Sequence, residues 1–358
     1  MATLNNLTSG ELYFINETDP RTGAPTGFRK IGIVRDTDRS SRDSATRLLQ
    51  HQVSNPRALT LASVVSTPCV SFLERTMLDQ LCTYGFSGEW VLLNEPMFEN
   101  TMSDTTRKAQ ELSAASDMLR TSFELREIPS NGIVRPASPT HLDQYLRLKG
   151  LVAQESVLKA SLKMVKEFFV KALRQKEDVQ EYVVLTPVKA HETFDLRIFR
   201  TTFPDLFERY TVSDERFSSG SFKLKGPRGG ATMDDLRSEE LAALVSEAHA
   251  LVVSDQAYEM FGAIHDRFLR LRSALAVCQW EKTFLDAELR VECGEYLGIE
   301  GVCTWDRGYV ADEQTDVERF QADFPDEYTR CLRVRARRIN FELVPYARFC
   351  FATHGAFP

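Results

Sequence analysis

The chain has 358 residues, of which 43% are hydrophobic and 27% are charged, and its formal net charge at pH 7 is -7. This composition excludes a disordered chain, and the length predicts two or three domains rather than a single core. The negative net charge excludes a nucleic-acid binder that depends on a basic surface over the whole molecule, so any polyanion site must be local.

Targeting signals and cysteines indicate a cellular compartment. No apolar run approaches the ~18 residues of a membrane span, and the first residues lack the basic region and apolar stretch of a signal peptide. The seven cysteines are scattered, odd in number and without a CxxC pair. This pattern favours reduced thiols and argues against a disulfide framework or a zinc ribbon. We therefore expect a cytoplasmic protein with no membrane partner.

Residues 1–98 predict a self-contained α+β unit, a small mixed sheet with flanking helices. Short apolar and β-branched runs predict its strands at 12–15, 30–34, 58–67 and 88–93, and turn-forming residues join the first two runs as a hairpin loop. A helix through about residue 52, capped by Ser41 or Ser44, and an amphipathic helix at 70–85 complete the unit.

Beyond this unit, a polar helix at 103–127 and a Pro- and Gly-containing linker at 128–139 predict a connector over residues 99–139. The remainder contains a repeat of the pattern D-x3-F-x3-F-P-D-x-[FY]-x-R. It is filled first by Asp195, Phe199, Phe203, Pro204, Asp205, Phe207 and Arg209, and again by Asp316, Phe320, Phe324, Pro325, Asp326, Tyr328 and Arg330. The spacing of phenylalanines predicts a short buried helix that is broken or restarted at the proline. We infer a duplicated module of a long helix plus small β elements, at 140–225 and 236–347.

Each copy follows a long helix whose apolar residues recur in steps of three and four. In the second helix these are Phe261, Ile264, Phe268, Leu271, Leu275 and Cys278. Such a seam fits two arrangements. The two helices can pack on each other within one chain as a hairpin, or they can form a coiled coil that makes a homodimer.

The first unit also contains residues suited to phosphodiester cleavage. That reaction needs an oriented water, a cation that neutralises the phosphate, and a divalent metal ion. The candidates are Tyr13, Lys30, Arg47, His51 and Glu74. Taken singly, each has an ordinary structural explanation, such as a core aromatic or the polar end of a packed helix. Their order along the chain is more specific.

Five motifs occur in that order: "GELYFI", "KIG" at 30–32, "RLLQHQVSNP" at 47–56, "LERTML" at 73–78 and "GEWVLL" at 88–93. Together they resemble the GIY-YIG endonuclease superfamily, and in particular the branch known from phage reading frames and the meiotically up-regulated, Mug-type proteins. In that branch the second motif commonly reads K-I-G, and the domain closes with G-E-W-F-x-L. The resemblance covers about 90 residues, a quarter of the chain.

The resemblance implies a role for each candidate. Tyr13 would orient or deprotonate the attacking water, and Lys30 would contact phosphate or lower a neighbouring pKa. Arg47 would clamp the scissile phosphate, and His51 would assist proton transfer. Glu74 would be the single carboxylate that holds Mg²⁺ (or Mn²⁺), the ion otherwise keeping its waters.

Three further positions qualify this expectation. Gly32 would let backbone or substrate approach closely. Lys30 stands where many members have a second tyrosine, and Leu78 stands where the branch often has a histidine. Residues 1–98 contain nine Lys and Arg against ten Asp and Glu, so the rest of the chain would deliver DNA to the site.

Two functions follow as expectations. The first is a metal-dependent DNA endonuclease in phage, mobile-element or defence DNA metabolism, with a tail that binds DNA or a partner. The alternative is a non-catalytic DNA- or protein-binding platform that keeps the nuclease fold. An intact set of Tyr13, Arg47 and Glu74 favours the enzyme.

The tail itself offers weaker signals. The stretch from 301 to 331 weakly resembles the C-terminal tail of YqaJ-type phage recombination exonucleases, which implies no catalytic residue here. The run "RVRARR" is the most basic part of the chain and contributes Arg333, Arg335, Arg337 and Arg338. It predicts either a nucleic-acid contact or the charged protection of an edge strand.

Overall fold

The structure is a computed structural model that describes residues 4, 7–36, 43–53, 55–226 and 232–347. Over these residues the chain is α+β, as the sequence predicts. Ser41, the cysteine at position 350 and residues 227–231 of the linker between the two copies lie outside the described residues.

The first unit is built on a five-stranded sheet with the order β3-β1-β2-β5-β4. Its strands are β1 (Gly10–Thr18), β2 (Pro25–Arg35), β3 (Ala58–Thr67), β4 (Gly85–Ser87) and β5 (Trp90–Leu92). Every neighbouring pair is antiparallel, so the sheet is not of the mixed kind expected from the sequence. β1 and β2, like β4 and β5, are consecutive strands joined by a short loop, and such a connection makes the two strands antiparallel.

Three helices cover this sheet: α1 (Ser44–Val53), α2 (Val70–Gln80) and α3 (Glu95–Ala114). A fourth helix, α4 (Ser116–Glu124), follows α3 and packs against other helices. The cap of α1 is Asp43 rather than Ser44. Asp43 accepts hydrogen bonds from the Thr46 N–H at 2.8 Å and the Thr46 hydroxyl at 2.7 Å. Asp43 precedes the first helical residue and its carboxylate binds two donors of Thr46, whereas Ser44 is itself the first residue of the helix and cannot be its cap.

The segment expected to be a connector is part of the first core. Ala109 and Leu112 of α3 and Leu119 of α4 are buried in one cluster with Leu12 and Phe14 of β1. The predicted polar helix at 103–127 is thus two helices, separated at residue 115, and apolar residues of both belong to the first core. The hydrophobic core therefore continues past residue 98.

The part of the chain that holds the two copies, 140–225 and 236–347, is called the tail. It is organised around three long helices: α5 (Pro139–Arg174), α8 (Glu239–Val253) and α9 (Phe261–Cys293). His141 of α5 lies 3.3 Å from Glu292, whereas Phe169, at the other end of α5, packs on Phe261. The two helices are therefore antiparallel neighbours within one chain, which is the hairpin-type packing of the two arrangements that the sequence leaves open. The apolar seam of α9 is covered by α5 and α8.

Short strands close one side of this bundle in the order β10-β12-β11-β6. They are β6 (Val134–Arg135), β10 (Lys223–Leu224), β11 (Gly298–Ile299) and β12 (Cys303–Thr304). The Arg307 side chain, 2% exposed, donates to the Leu125 carbonyl at 2.6 Å and the Gly294 carbonyl at 2.7 Å. This buried arginine holds the end of the connector against the end of α9.

The duplicated pattern has the same local structure in both copies. The first forms α6 (Leu196–Thr202) and α7 (Pro204–Tyr210), and the second forms α10 (Val317–Asp323) and α11 (Pro325–Arg330). Each proline is the first residue of the second helix, as the pattern predicts. Asp195 and Asp316 each cap the first helix of their copy through the side-chain carboxylate.

The copies do not form two separate modules. The flanking strands are β7 (Val183–Val188), β8 (His191–Phe194), β9 (Thr211–Ser218), β13 (Gly308–Thr315), β14 (Leu332–Arg335) and β15 (Arg338–Leu343). They pair only across the duplication, β7 with β15, β8 with β14 and β9 with β13. Phe199 and Phe320 meet at the centre with a ring separation of 4.2 Å. Corresponding elements thus exchange places about an approximate twofold axis, and the two copies make one unit.

Helix α9 also packs against the first unit. Trp280 stacks on Phe72 of α2 at 5.2 Å, and the Arg272 Nε donates to Asp79 of α2 at 2.9 Å. Within the described residues, no helix combines the length and the apolar character that crossing a membrane requires.

Candidate functional site

The alternation of side chains along β1 separates a structural face from a chemical one. Leu12 and Phe14 point into the core beneath α2 and α3, whereas Tyr13 and Ile15 point to the opposite face, beneath α1. Tyr13 is only 1% exposed. The first candidate residue is therefore fixed by the sheet rather than carried on a loop.

Gly32 is what allows Tyr13 to occupy this position. The two residues are directly opposite in the antiparallel pairing of β1 and β2. A Cβ at residue 32 would lie 2.5 Å from the Tyr13 Cζ and 2.8 Å from its Cε2, well inside van der Waals contact. The predicted close approach at Gly32 is real, but the group that approaches is the tyrosine ring, not backbone or substrate.

Helix α1 brings two candidates to the tyrosine hydroxyl. The Tyr13 Oη lies 3.2 Å from the His51 Nε2. Arg47, one turn earlier, donates a hydrogen bond to the Gln50 Oε1 at 2.9 Å. Burial raises the pKa of Tyr13, and a hydrogen bond and the charge of Arg47 offset part of that rise. The phenol is therefore protonated at neutral pH.

His51 is suited to accept that proton. Burial lowers its pKa, and the positive charges of Lys30 and Arg47 lower it further. The imidazole is neutral at pH 7 as a result. In the tautomer that carries its proton on Nδ1, the Nε2 lone pair faces the Tyr13 hydroxyl and can accept from it.

Lys30 has a partner that the sequence did not identify. Its ammonium, 8% exposed as a residue, forms an ion pair with Glu89, which lies between β4 and β5. The Glu89 carbonyl also accepts a hydrogen bond from the Ile31 N–H at 2.9 Å. Glu89 is the glutamate of the "GEW" motif, so the signal for this residue was present in the sequence, but only as a closing motif with no assigned role.

Glu74 approaches the site from α2. It is partly buried, and the structure shows no hydrogen bond or ion pair to its carboxylate among the described residues. Burial raises its pKa to about 7, and the charge of Glu89 adds to the rise against the opposing charges of Arg35, Lys30 and Arg75. These nearby cations offset the burial of the carboxylate only in part, and none of them forms an ion pair with it in the described part of the chain.

The donors around Glu74 limit the kind of metal centre that they could form. No group of three His, Cys, Asp or Glu side chains within the described ranges is arranged to hold a metal ion by itself. Mg²⁺ is usually bound by one or two carboxylates and keeps several waters. Glu74, with Glu89 as an electrostatic neighbour, fits that kind of site and does not fit a closed protein cage.

The structure brings Tyr13, Lys30, Arg47, His51 and Glu74 into one electrostatically coupled group. Their mutual charges enter the pKa shifts of Tyr13, His51 and Glu74. The group is assembled from two strands and two helices that are separated by up to 61 residues in sequence. We name these five residues together with Glu89 the Tyr13 site.

The basic run lies elsewhere, on the duplicated unit. Arg333 and Arg335 are on β14, Arg337 is in the two-residue connection that follows, and Arg338 begins β15. Three of the four, Arg333, Arg335 and Arg338, line a groove of about 690 Å³ together with Arg197. Asp195 is the only acidic residue among the described residues of this groove, and it lies 3.8 Å from Arg333. We call this surface the arginine groove.

Comparisons of the chain with protein-family models, with curated proteins and with solved structures find no match.

Proposed function

We propose that this protein is a metal-dependent DNA endonuclease whose reaction takes place at the Tyr13 site. The observation that carries the proposal is the contact between the buried Tyr13 phenol and the neutral His51 imidazole beside Arg47. The Glu74 carboxylate, which has no ion-pair partner among the described residues, belongs to the same group. This grouping supports the proposal, because His51 would accept a proton, Arg47 would bind the phosphate and Glu74 would bind the metal ion within one site.

The protonation states suggest the order of proton movement. Tyr13 is protonated at neutral pH, so it is not a ready-made base. It would position the attacking water, and as it takes the proton of that water it would pass its own to His51. The 3.2 Å separation between the Tyr13 Oη and the His51 Nε2 is suited to this transfer.

Charge stabilisation would come from two sources. The Arg47 guanidinium offers paired donors to the oxygens of the scissile phosphate. Glu74 would hold Mg²⁺ or Mn²⁺, which when bound supplies Lewis-acid stabilisation of the phosphate and leaving oxygen. Lys30 is already paired with Glu89, so it would act mainly by keeping His51 neutral through its positive charge.

The tail would supply the DNA contact. The first unit is close to neutral, whereas the arginine groove presents four guanidinium groups against one carboxylate. That excess of charge suits a phosphate backbone. The free state of six buried cysteines, at positions 69, 82, 278, 293, 303 and 331, supports action in a reducing cytoplasm.

A second candidate function is a non-catalytic DNA- or protein-binding platform. The internal pairing of Lys30 with Glu89 favours it, because this cation is then satisfied without a substrate. The two functions differ in a direct assay.

The assay is nicking of a supercoiled plasmid by the full chain with Mg²⁺ or Mn²⁺, compared with EDTA. Loss of one preorganised phosphate donor typically costs roughly 10²–10³ in rate. Arg47→Ala should therefore lose most of the cleavage, and Arg47→Lys should recover only part of it, because lysine cannot reproduce the planar fork. Plasmid affinity should fall much less, since one phosphate contact contributes little to total binding.

A second test variant is Glu74→Gln. The control for Arg47→Ala is Arg21→Ala, in the exposed loop between β1 and β2, and the control for Glu74→Gln is Glu99→Gln, on the exposed face of α3. The controls should cleave at the parent rate, and Glu74→Gln should not cleave. If the plasmid affinity of Arg47→Ala falls by the same factor as its cleavage rate, Arg47 is a docking residue. Absence of metal-dependent nicking with retained plasmid binding would establish the platform instead.

A further inference from the structure

A second cleft lies between the first unit and the tail, with a volume of about 640 Å³. The segment from α4 to residue 126 forms one wall, α5 and α9 form another, and β10 closes the rim. None of the residues of the Tyr13 site lines it. Clefts of this size at domain boundaries commonly hold small molecules.

Most charges in this cleft are already compensated. Glu155 accepts from the Lys159 ammonium at 2.7 Å, the Lys282 ammonium at 2.7 Å and the Gln279 amide at 3.0 Å. These donors hold the pKa of Glu155 at about 2 in spite of its burial. The Arg290 Nε donates to Asp286 at 2.6 Å. Both carboxylates of the lining are thus satisfied.

Arg126 is different. Its guanidinium lies 4.2 Å from the centre of the Phe123 ring, and its Nε is buried without a hydrogen-bond partner. Among the described residues it has no ion-pair partner. Burial lowers its pKa, and the positive charge of Arg290 lowers it further, against the charges of Asp286 and Glu127.

Two arginines therefore line one cleft, and of the two only Arg290 has a hydrogen-bonded carboxylate among the described residues, that of Asp286. Arg126 is only partly buried, so its exposed nitrogens are available to a ligand, while its Nε has no partner. An anion that accepts from this guanidinium group and from Arg290 would supply the missing hydrogen bonds and counter-charge. Lys223, exposed at the rim, is a third cation of the lining. Like Arg126, and unlike Arg290, it has no ion-pair partner in the described part of the chain. The excess suits a dianion rather than a single carboxylate.

The rest of the lining is suited to an organic group. Phe123, Phe222, Leu148 and Val152 all line the cleft. An apolar wall beside an anion subsite favours a phosphorylated molecule that carries a hydrophobic or aromatic part over inorganic phosphate alone.

We propose that this cleft binds a small phosphate monoester with a ring, of the class of nucleoside monophosphates. Its phosphate lies between Arg126 and Arg290 and its ring lies along Phe123 and Phe222. The site is separate from the proposed nuclease activity, and because it spans the two parts of the chain, its ligand stabilises their association.

The test is calorimetric titration and thermal unfolding of the full chain with adenosine monophosphate, adenosine and inorganic phosphate as probes. We expect saturable binding of the monophosphate, weaker binding of phosphate, and none of adenosine. Arg126→Gln should weaken binding of the monophosphate about ten- to a hundredfold, as expected for a lost hydrogen bond to a charged group. Lys223→Gln, at the rim, should weaken it about two- to fivefold.

The control is Arg120→Gln, which lies on α4 outside the cleft and should bind as the parent does. Without ligand, Arg126→Gln should unfold within about 3 °C of the parent, because it loses a ring contact but also a repulsion. Glu74→Gln should retain full binding of the monophosphate, which separates this site from the nuclease. A Kd above about 1 mM for the monophosphate, or equal affinity in the parent, Arg126→Gln and Lys223→Gln, would overturn the proposal.

Discussion

At the level of single residues, the Tyr13 site depends on one pair of neighbours in the sheet. Tyr13 lies across Gly32 because no side chain stands there, and this brings its hydroxyl to His51. The glycine is required for space, since Gly32 is not among the glycines that adopt a positive φ. The geometry of the proposed proton transfer is thus set by the absence of one methyl group.

Gly32→Ala should therefore destabilise the protein by about 1–3 kcal/mol, the usual cost of overpacking a filled site. It should also reduce any cleavage activity, because the tyrosine ring must move away from His51. Urea unfolding and plasmid nicking measure the two effects. Gly308→Ala is the control, since no atom lies within 4 Å of a Cβ at that position. Parent-like stability of Gly32→Ala would show that the ring is not held there.

Glu74 makes stability depend on pH. Its pKa is about 7 in the folded protein against a reference value of 4.5, so the folded state binds more protons between these values. The parent should therefore lose stability as pH rises from about 4.5 to about 7, and by pH 8 the ionised carboxylate should cost up to about 3 kcal/mol. Glu74→Gln removes this cost, so it should be more stable than the parent at pH 8 and similar at pH 5.

Urea unfolding at pH 5 and pH 8 measures this difference, with Glu99→Gln as the exposed control. Mg²⁺ at pH 8 should stabilise the parent and not Glu74→Gln, because a ligand of the folded state adds stability in proportion to its binding. A parent and a Glu74→Gln variant with the same pH profile would contradict the burial of this carboxylate.

At the level of elements, the duplication is used to make one symmetric core. The Asp195 N–H donates to the Cys331 carbonyl at 3.0 Å, and the equivalent Asp316 N–H donates to the Tyr210 carbonyl at 2.8 Å. The start of the repeated pattern in each copy is thus hydrogen-bonded to the end of the pattern in the other copy. Each of the six strands that flank the helix pairs finds its partner in the opposite copy.

The two central phenylalanines should be energetically equivalent. Phe199→Ala and Phe320→Ala each remove a fully buried ring from the same contact, and each should cost about 3–5 kcal/mol. The two values should agree within about 1 kcal/mol. Tyr309→Ala, at a ring that is 67% exposed, should change stability by less than about 0.5 kcal/mol. Unfolding in urea gives all three numbers, and a large cost at only one phenylalanine would contradict the symmetric core.

At the level of the whole molecule, α9 joins the two parts. One helix packs on α5 and α8 in the tail, and its Trp280 stacks on Phe72 and donates to Glu111 of α3 at 2.9 Å. The first unit therefore uses residues from the connector and from the tail to complete its core.

A fragment of residues 1–98 should consequently fail to fold cooperatively. It lacks Ala109, Leu112, Leu119 and Trp280, and so leaves the apolar face of the sheet open to water. A fragment of residues 1–128 regains α3 and α4 and should recover much of the helical circular dichroism. Thermal unfolding and binding of a hydrophobic dye compare both fragments with the full chain. Cooperative unfolding of the 1–98 fragment would show that the first unit is self-contained.

Local patterns determined much of the secondary structure. The strand predicted at 58–67 coincides with β3. The phenylalanine spacing predicted a short helix broken or restarted at the proline of each copy, and each copy forms two helices with the proline at the start of the second. The order of five short motifs also named the residues that the fold brings together at Tyr13. These features are readable because side-chain periodicity and capping depend on residues a few positions apart.

Tertiary structure decided what each buried face meets. Periodicity shows that α3 has an apolar side, but not that this side completes the first core. It shows two copies of one pattern, but not that their strands exchange partners. The pairing of Lys30 with Glu89 joins residues 59 positions apart, and no local rule predicts it. Such contacts are chosen by the fit of whole elements, because each apolar face or buried charge must find whichever partner the complete fold places opposite it.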